Sequence, residues 1–232
     1  MPGRGRFERS AEPSGDGLTG FGFRLGLSNI EQMFGSAVNQ ASLFGEGEVG
    51  FDVGFSSMQR FDLADGAWLD YAPMWLQGDN TLFDTLVGVA EWSQPVVRMY
   101  DQEVVTPRLV AHLEPLAHEM LPDMIDVLSG RYHRRLDQLS AGWYRNGSDS
   151  VAFHGDRIAR ERDEAVVATV SLGGARRFLI RPKSGGESLS FSLGHGDLVV
   201  MGGSCQRTCE HAVPKAKMAQ PRIALMFRHR YD

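Results

Sequence analysis

An α+β architecture, with a β-sandwich or jelly-roll core and helices over one of its sheets, is the fold class the sequence predicts. Three observations carry it: helical spacing before Leu139, short β-type runs after it, and glycine turns between those runs. A length of 232 residues suits one domain with appendages, and an apolar fraction of 42% is enough to bury a real core. No apolar run approaches the roughly 18–20 residues that cross a bilayer, so no membrane span is expected. Residues 1–9 are charged and followed by Gly, Ser and Pro, without the apolar core of a signal peptide, and a cytoplasmic protein is expected.

In chain order, residues 1 to about 28 are rich in Gly, Ser and Arg and read as disordered. Ile30, Met33 and Phe34 give 29–37 the spacing of a short helical turn, and a second Gly-rich stretch runs from Gly45 to Ser57. Together these make 1–58 a flexible extension and 59–232 the folded domain, with order starting near Phe61 and leading into Trp68-Leu69-Asp70-Tyr71. The spacing of Leu82, Phe83, Leu86 and Val87 predicts a helix over 79–90, with Asn80 or Thr81 as N-cap. A second helix is predicted from Pro122, a first-turn residue, to about Leu136, with Met124, Ile125, Val127 and Leu128 inward. Strands are predicted at 141–145, 150–153, 165–172, 176–181, 188–193, 197–201, 209–213 and 222–229. No internal repeat interrupts this order, and nothing demands more than a monomer.

Charge is unevenly divided. From Tyr144 onward there are fourteen Lys/Arg against nine Asp/Glu, while the preceding part holds ten against twenty. A basic half on a net-acidic chain permits an anionic substrate such as nucleic acid, although on charge alone a solvated surface with interspersed charges is the preferred reading. Cys205 and Cys209 form no disulfide framework, and with His211 they lack a fourth ligand spaced for zinc, so two incidental thiols are expected. His195, between two glycines, reads as a turn residue with a structural hydrogen bond.

The chemistry-bearing residues lie late in the chain. His154 and Asp156 follow a predicted strand at the i, i+2 spacing that shares a face, and His211 sits in a later strand region. Two imidazoles and one carboxylate on one face suit octahedral Fe(II) with three positions left open. A His-x-Asp pair arises often by chance, and a lone strand histidine is commonly structural. Arg222 and Arg228 alter that balance, because their spacing places both on one strand face, opposite Ile223, Leu225 and Phe227. Guanidiniums facing an apolar interior are costly without an anion, and a dicarboxylate matches the arginine fork.

These residues, with their surroundings, resemble the AlkB family of 2-oxoglutarate- and Fe(II)-dependent dioxygenases. The likeness runs through the block Tyr144 to Asp156, through Ser171-Leu172-Gly173, Arg176-Arg177-Phe178 and Gly194-His195-Gly196-Asp197-Leu198, and through Met201-Gly202-Gly203. It continues in Glu210-His211 with Val213-Pro214-Lys215, and in Pro221-Arg222 to Phe227-Arg228, and covers about residues 61–232. The resemblance implies a double-stranded β-helix (jelly-roll) core. It also implies iron, Fe(2+), held by His154, Asp156 and His211, and 2-oxoglutarate bound by Tyr144, Arg222 and Arg228. The implied reaction is oxidative dealkylation of an N-alkylated base in DNA or RNA, releasing aldehyde, succinate and CO2, with the base flipped from its stack. Met99 and Tyr100 through Arg108 are similar to the family's nucleotide-recognition hairpin, which implies substrate contact by these three.

The chain also departs from the family pattern. Gly142 and Ala224 stand where members usually carry asparagines that bond the cosubstrate, which bears on its affinity and not on its identity. Ile158 replaces an acidic residue near the target base, and Val110 to Pro115 replaces a Tyr-rich lid. Upstream, Gln40-Ala41-Ser42-Leu43-Phe44 is similar to the peptide by which bacterial repair proteins dock on the DNA sliding clamp, with Gln40, Leu43 and Phe44 as its anchors. A hydroxylase of another substrate, or a binding module without catalysis, is the alternative on the same scaffold.

Overall fold

Glycine turns and two-residue alternation translate directly into strands. The computed structural model describes residues 50–78, 80–99, 102–156 and 164–229. The disordered stretch and short helix expected before Gly50, Gln40, Leu43 and Phe44 of the clamp-like peptide, Tyr100 and Ile158 lie outside the described residues.

The order begins with β1 (Gly50–Phe51), β2 (Gln59–Asp62), β3 (Ala67–Ala72), β4 (Leu76–Gln77) and α1 (Thr81–Val89). A hairpin of β5 (Val96–Met99) and β6 (Gln102–Val105) leads to β7 (Leu109–Leu113) and α2 (Met120–Tyr132). The C-terminal half holds β8 (Gln138–Tyr144), β9 (Val151–His154), β10 (Val167–Gly173), β11 (Arg176–Pro182) and β12 (Leu189–Leu193). It closes with β13 (Leu198–Gly203), the single turn α3 (Cys205–Thr208), β14 (Cys209–Val213) and β15 (Arg222–Arg228). All pairings are antiparallel, in a seven-stranded sheet ordered β2-β3-β13-β10-β15-β8-β7 and a four-stranded sheet ordered β12-β11-β14-β9.

The large sheet is apolar on both faces because its strands alternate between two cores. Ile223, Leu225 and Phe227 of β15 are fully buried with Leu82 and Leu86 of α1 and Met124 and Leu128 of α2. Residues of the opposite parity, such as Val167, Val199 and Met201, meet Phe178, Ile180 and Phe191 of the small sheet. This is the jelly-roll sandwich with covering helices that the sequence predicts. Arg222 and Ala224 of β15 belong to that second, inter-sheet face.

Local chemistry moves several boundaries. α2 begins two residues before Pro122, which keeps the proline in the first turn, where no intrahelical N–H bond is lost. It stops at residue 132, short of Leu136, because His133 turns left-handed (φ 52°) and its N–H bonds the Ser129 carbonyl. The Leu136 N–H then donates to Ser129 Oγ at 2.9 Å. Asn80 takes the N-cap position of α1 without making a side-chain cap bond.

The first part of the domain is more ordered than its glycines suggest. Residues 50–58, assigned to the flexible extension, instead pack: β1 pairs with β4, and the Phe51 and Phe55 rings lie 4.9 and 5.9 Å from that of buried Trp75. Trp68-Leu69-Asp70-Tyr71 becomes β3 inside the large sheet. A Cβ on Gly202, its cross-strand partner, would lie 1.9 Å from the Trp68 ring, so only glycine fits there. Arg60 grips buried Asp70 at 2.7 and 2.8 Å, and Tyr132 of α2 donates to the same carboxylate at 3.0 Å. Burial, and then the Asp70 charge, push the Tyr132 hydroxyl far above its ordinary range.

Because Leu225 is fully enclosed, Leu225→Ala is expected to cost about 2–5 kcal/mol in urea unfolding. Met218→Ala, at a side chain 91% exposed, should stay within about 0.5 kcal/mol in the same measurement.

Candidate metal centre and cosubstrate pocket

β9 and β14 are neighbours in the small sheet, and their register sets His154 directly opposite His211, with ring centroids 4.4 Å apart. A register shift between His211 and Val213 bends β14 at this point. Asp156 follows β9, and the ligand atoms of His154, Asp156 and His211 all lie within 4.8 Å of one another. Among the described residues these three form the one such cluster. Cys205 and Cys209 stay outside it as free, buried thiols.

Each ligand is held by a second contact. His154 Nδ1 lies 2.9 Å from the Ala152 carbonyl; a carbonyl can only accept, so Nδ1 carries the proton and Nε2 is left to bind metal. His211 lies against Phe178, rings 29° apart. Burial, reinforced by His154, pushes His211 down to about 3, which keeps it neutral and ligand-competent at ordinary pH. Burial alone would raise the Asp156 carboxyl. Arg228, His211 and His154 outweigh it, and Asp156 lies below the usual carboxylate value. Arg228 Nε and Nη2 both donate to Asp156 Oδ2 at 3.2 Å, and Nη1 donates to Ser140 Oγ at 2.5 Å.

Two features that fix Asp156 carry no sequence motif. Buried Gln206 of α3 accepts the Asp156 N–H at 3.0 Å. A Cβ on Gly155 would come within 2.7 Å of the Gln206 carbonyl oxygen, so the residue between the ligands must be glycine for the loop to close over α3. A lone Gln in a turn gives sequence reasoning nothing to detect.

Beside the metal ligands lies a cavity of about 210 Å³ between the sheets, reaching Tyr144, Arg222, Arg228 and Arg108. That is small against the roughly 300–1,000 Å³ of most ligand pockets, and it suits a compact acid. Arg222 is 1% exposed; Nε donates to Ser171 Oγ at 2.8 Å, and Nη1 has no hydrogen-bond partner. Burial lowers this guanidinium to about 10, and the Arg176 and Arg108 charges push the same way. Tyr144 is its cross-strand partner. An orphaned donor on a buried cation is chemically suited to an anion. A larger cavity of about 530 Å³ opens behind Arg228 and Ser140, between β7 and α2. None of the three clustered side chains lines it, whereas all three line the smaller one.

The sequence placed Arg108 with Met99 and Tyr100 as a substrate-facing group. It lies beyond the hairpin, just before β7, and Nη1 donates to the Tyr144 hydroxyl at 2.8 Å inside the cavity. Met99 ends β5, opposite Gln102, and its side chain lies outside the described ones. Buried Arg176 spans three loop carbonyls, of Asn146, Asp149 and Pro214, and holds the segments flanking Tyr144. His195 Nδ1 accepts the Gly173 N–H at 3.2 Å, a turn contact away from the metal cluster.

A family model described as the 2OG-Fe(II) oxygenase superfamily matches residues 79–230. The "DNA oxidative demethylase ALKBH2" of Arabidopsis thaliana is 28% identical over 74% of this chain and 69% of its own length. The "Alpha-ketoglutarate-dependent dioxygenase alkB homolog 3" of Bos taurus is 29% identical over 67% of this chain, and its human counterpart 29% identical over 53%. The chain spans 63% of the bovine protein and 47% of the human one. A solved oxidoreductase of the 2OG-Fe(II) oxygenase family from Burkholderia pseudomallei superposes with a TM-score of 0.46 at 11% identity, over 69% of this chain and 84% of that one. The chain belongs to the 2OG-Fe(II) oxygenase superfamily, as an AlkB-like member. It is accordingly a dioxygenase that uses Fe(2+) and 2-oxoglutarate, and the cluster and the orphaned guanidinium fit both.

His211→Ala is expected to abolish stoichiometric iron binding, measured by metal analysis after anaerobic loading. Arg222→Met should leave iron bound but raise the Kd for 2-oxoglutarate at least about 30-fold in calorimetry, the scale for removing one partner of a buried charged pair.

Proposed function

We propose that this chain oxidatively dealkylates N-alkylated bases in nucleic acid, with DNA as the principal substrate. The observation that carries the reading is a two-histidine, one-carboxylate cluster sharing a small cavity with a buried arginine whose Nη1 is unpartnered. Similarity to the Arabidopsis DNA oxidative demethylase, and a C-terminal half with fourteen basic against nine acidic residues, support nucleic acid as substrate.

Arg222 and Tyr144 bind the distal carboxylate of the cosubstrate, while Arg228 keeps Asp156 ionised and oriented. Val167, Phe178, Met201 and Val213 wall the cavity and keep water from it. Iron held by His154, Asp156 and His211 would supply, with 2-oxoglutarate and O2, the oxidising chemistry: one oxygen atom of O2 would go to succinate as 2-oxoglutarate loses CO2, and the other would convert a C–H bond of the alkyl carbon to C–OH. The hydroxylated carbon then releases its bond to nitrogen, the nitrogen takes the hydroxyl proton, and an aldehyde departs. Because the metal cluster lines a cavity between the two sheets, the base reaches it flipped out of its stack. The Gln40 to Phe44 peptide serves as an anchor for the sliding clamp, a role that clamp binding by Leu43→Ala plus Phe44→Ala would refute if affinity were unchanged.

The deciding assay is succinate formation with Fe(II), with and without methylated single-stranded DNA. Expected are turnover stimulated by the methylated strand and release of formaldehyde. No turnover by iron-loaded protein would defeat catalysis, and turnover indifferent to nucleic acid would favour a hydroxylase of another substrate.

A further inference from the structure

Arg108 contacts a hydroxyl that belongs to the cosubstrate pocket. A guanidinium only donates, so in the 2.8 Å bond to Tyr144 the phenol oxygen accepts, and its own proton is free to point elsewhere. The arginine reaches this position across a floor of minimal side chains. Gly142 and Ala224 are cross-strand partners, and Arg108 Cδ lies 3.9 Å from where a Cβ on Gly142 would sit. Arg108 and Arg222 both approach the Tyr144 ring, at 5.8 and 5.4 Å from its centroid, and all three residues line the same cavity. With Arg176 also 5.3 Å from that ring, three like charges surround one phenol, and the unpartnered Arg222 Nη1 and the Tyr144 hydroxyl leave two donors and excess positive charge for one ligand group. A carboxylate there satisfies both donors and offsets the repulsion.

We propose that Arg108 is a positioning residue for 2-oxoglutarate: it holds the Tyr144 hydroxyl as a donor to the carboxylate that Arg222 pairs with, and so enforces choice of a dicarboxylate over a 2-oxo monocarboxylate. This rests on the dioxygenase reading above. The small pair Gly142 and Ala224 makes the space, and the arginine fills it with charge instead of volume.

The test is equilibrium calorimetry, without oxygen and with Mn(II) in place of iron, of 2-oxoglutarate and of 2-oxobutyrate, which lacks the distal carboxylate. Arg108→Met is expected to weaken 2-oxoglutarate roughly tenfold or more while leaving 2-oxobutyrate within about twofold. Arg108→Lys should recover part of the loss, and Arg108→Met placed on Tyr144→Phe should add little to the effect of Tyr144→Phe alone. Equal weakening of both acids would overturn the proposal in favour of a general structural role. Unchanged 2-oxoglutarate binding with a raised KM for methylated single-stranded DNA would overturn it in favour of nucleic-acid contact. Should Arg108→Met fail to fold, Arg108→Gln carries the same comparison, with unfolding midpoints measured alongside. A wild-type protein that binds no 2-oxoglutarate would instead overturn the dioxygenase reading.

Discussion

A guanidinium enclosed between two sheets, with one of its nitrogens unbonded, costs several kcal/mol unless an anion joins it. The fold tolerates Arg222 because everything around it is fixed from elsewhere. β15 is clamped between β8 and β10, so Tyr144 and Ser171 are brought to the arginine by backbone register. The other face of the same strand is sealed by Ile223, Leu225 and Phe227 against the helices. The energy of one core thus holds a cation in place in the other.

The metal cluster obeys the same logic at shorter range. Two strands of the small sheet supply the imidazoles by register, and a loop pinned under α3 supplies the carboxylate. Arg228 joins the two halves of the site, since it sits on the strand of Arg222 and grips the carboxylate that would hold iron. Arg222 at the inter-sheet cavity and Arg228 at the cluster therefore stand on one face of β15, six residues apart.

Much of this was legible in the sequence where periodicity and glycine punctuation agree. The eight C-terminal strands stand within three residues of their expected limits, and the two-histidine, one-carboxylate set converges as alternation required. Elsewhere no local signal existed. Gln206 acts through a single side-chain carbonyl aimed at a neighbouring loop, and Arg108 was read by its place in the chain, whereas its long side chain turns back to Tyr144. Residues 50–58 read as flexible because glycine content is local, while their order comes from rings meeting Trp75 across the fold. The early end of α2 hangs on the left-handed conformation of His133, which composition does not announce.

The double duty of β15 bears on how such a protein adapts to temperature. Core residues that would be retuned for cold or heat alternate with the inter-sheet face that carries Arg222 and Arg228 at its two ends. A change at Leu225 or Phe227 large enough to shift the strand would move both guanidiniums with it. Thermal adaptation through this strand would be visible as altered 2-oxoglutarate demand. The lineage is freer to adjust stability at α1, α2 and the Arg60–Asp70–Tyr132 cluster, where no ligand atom shares the backbone.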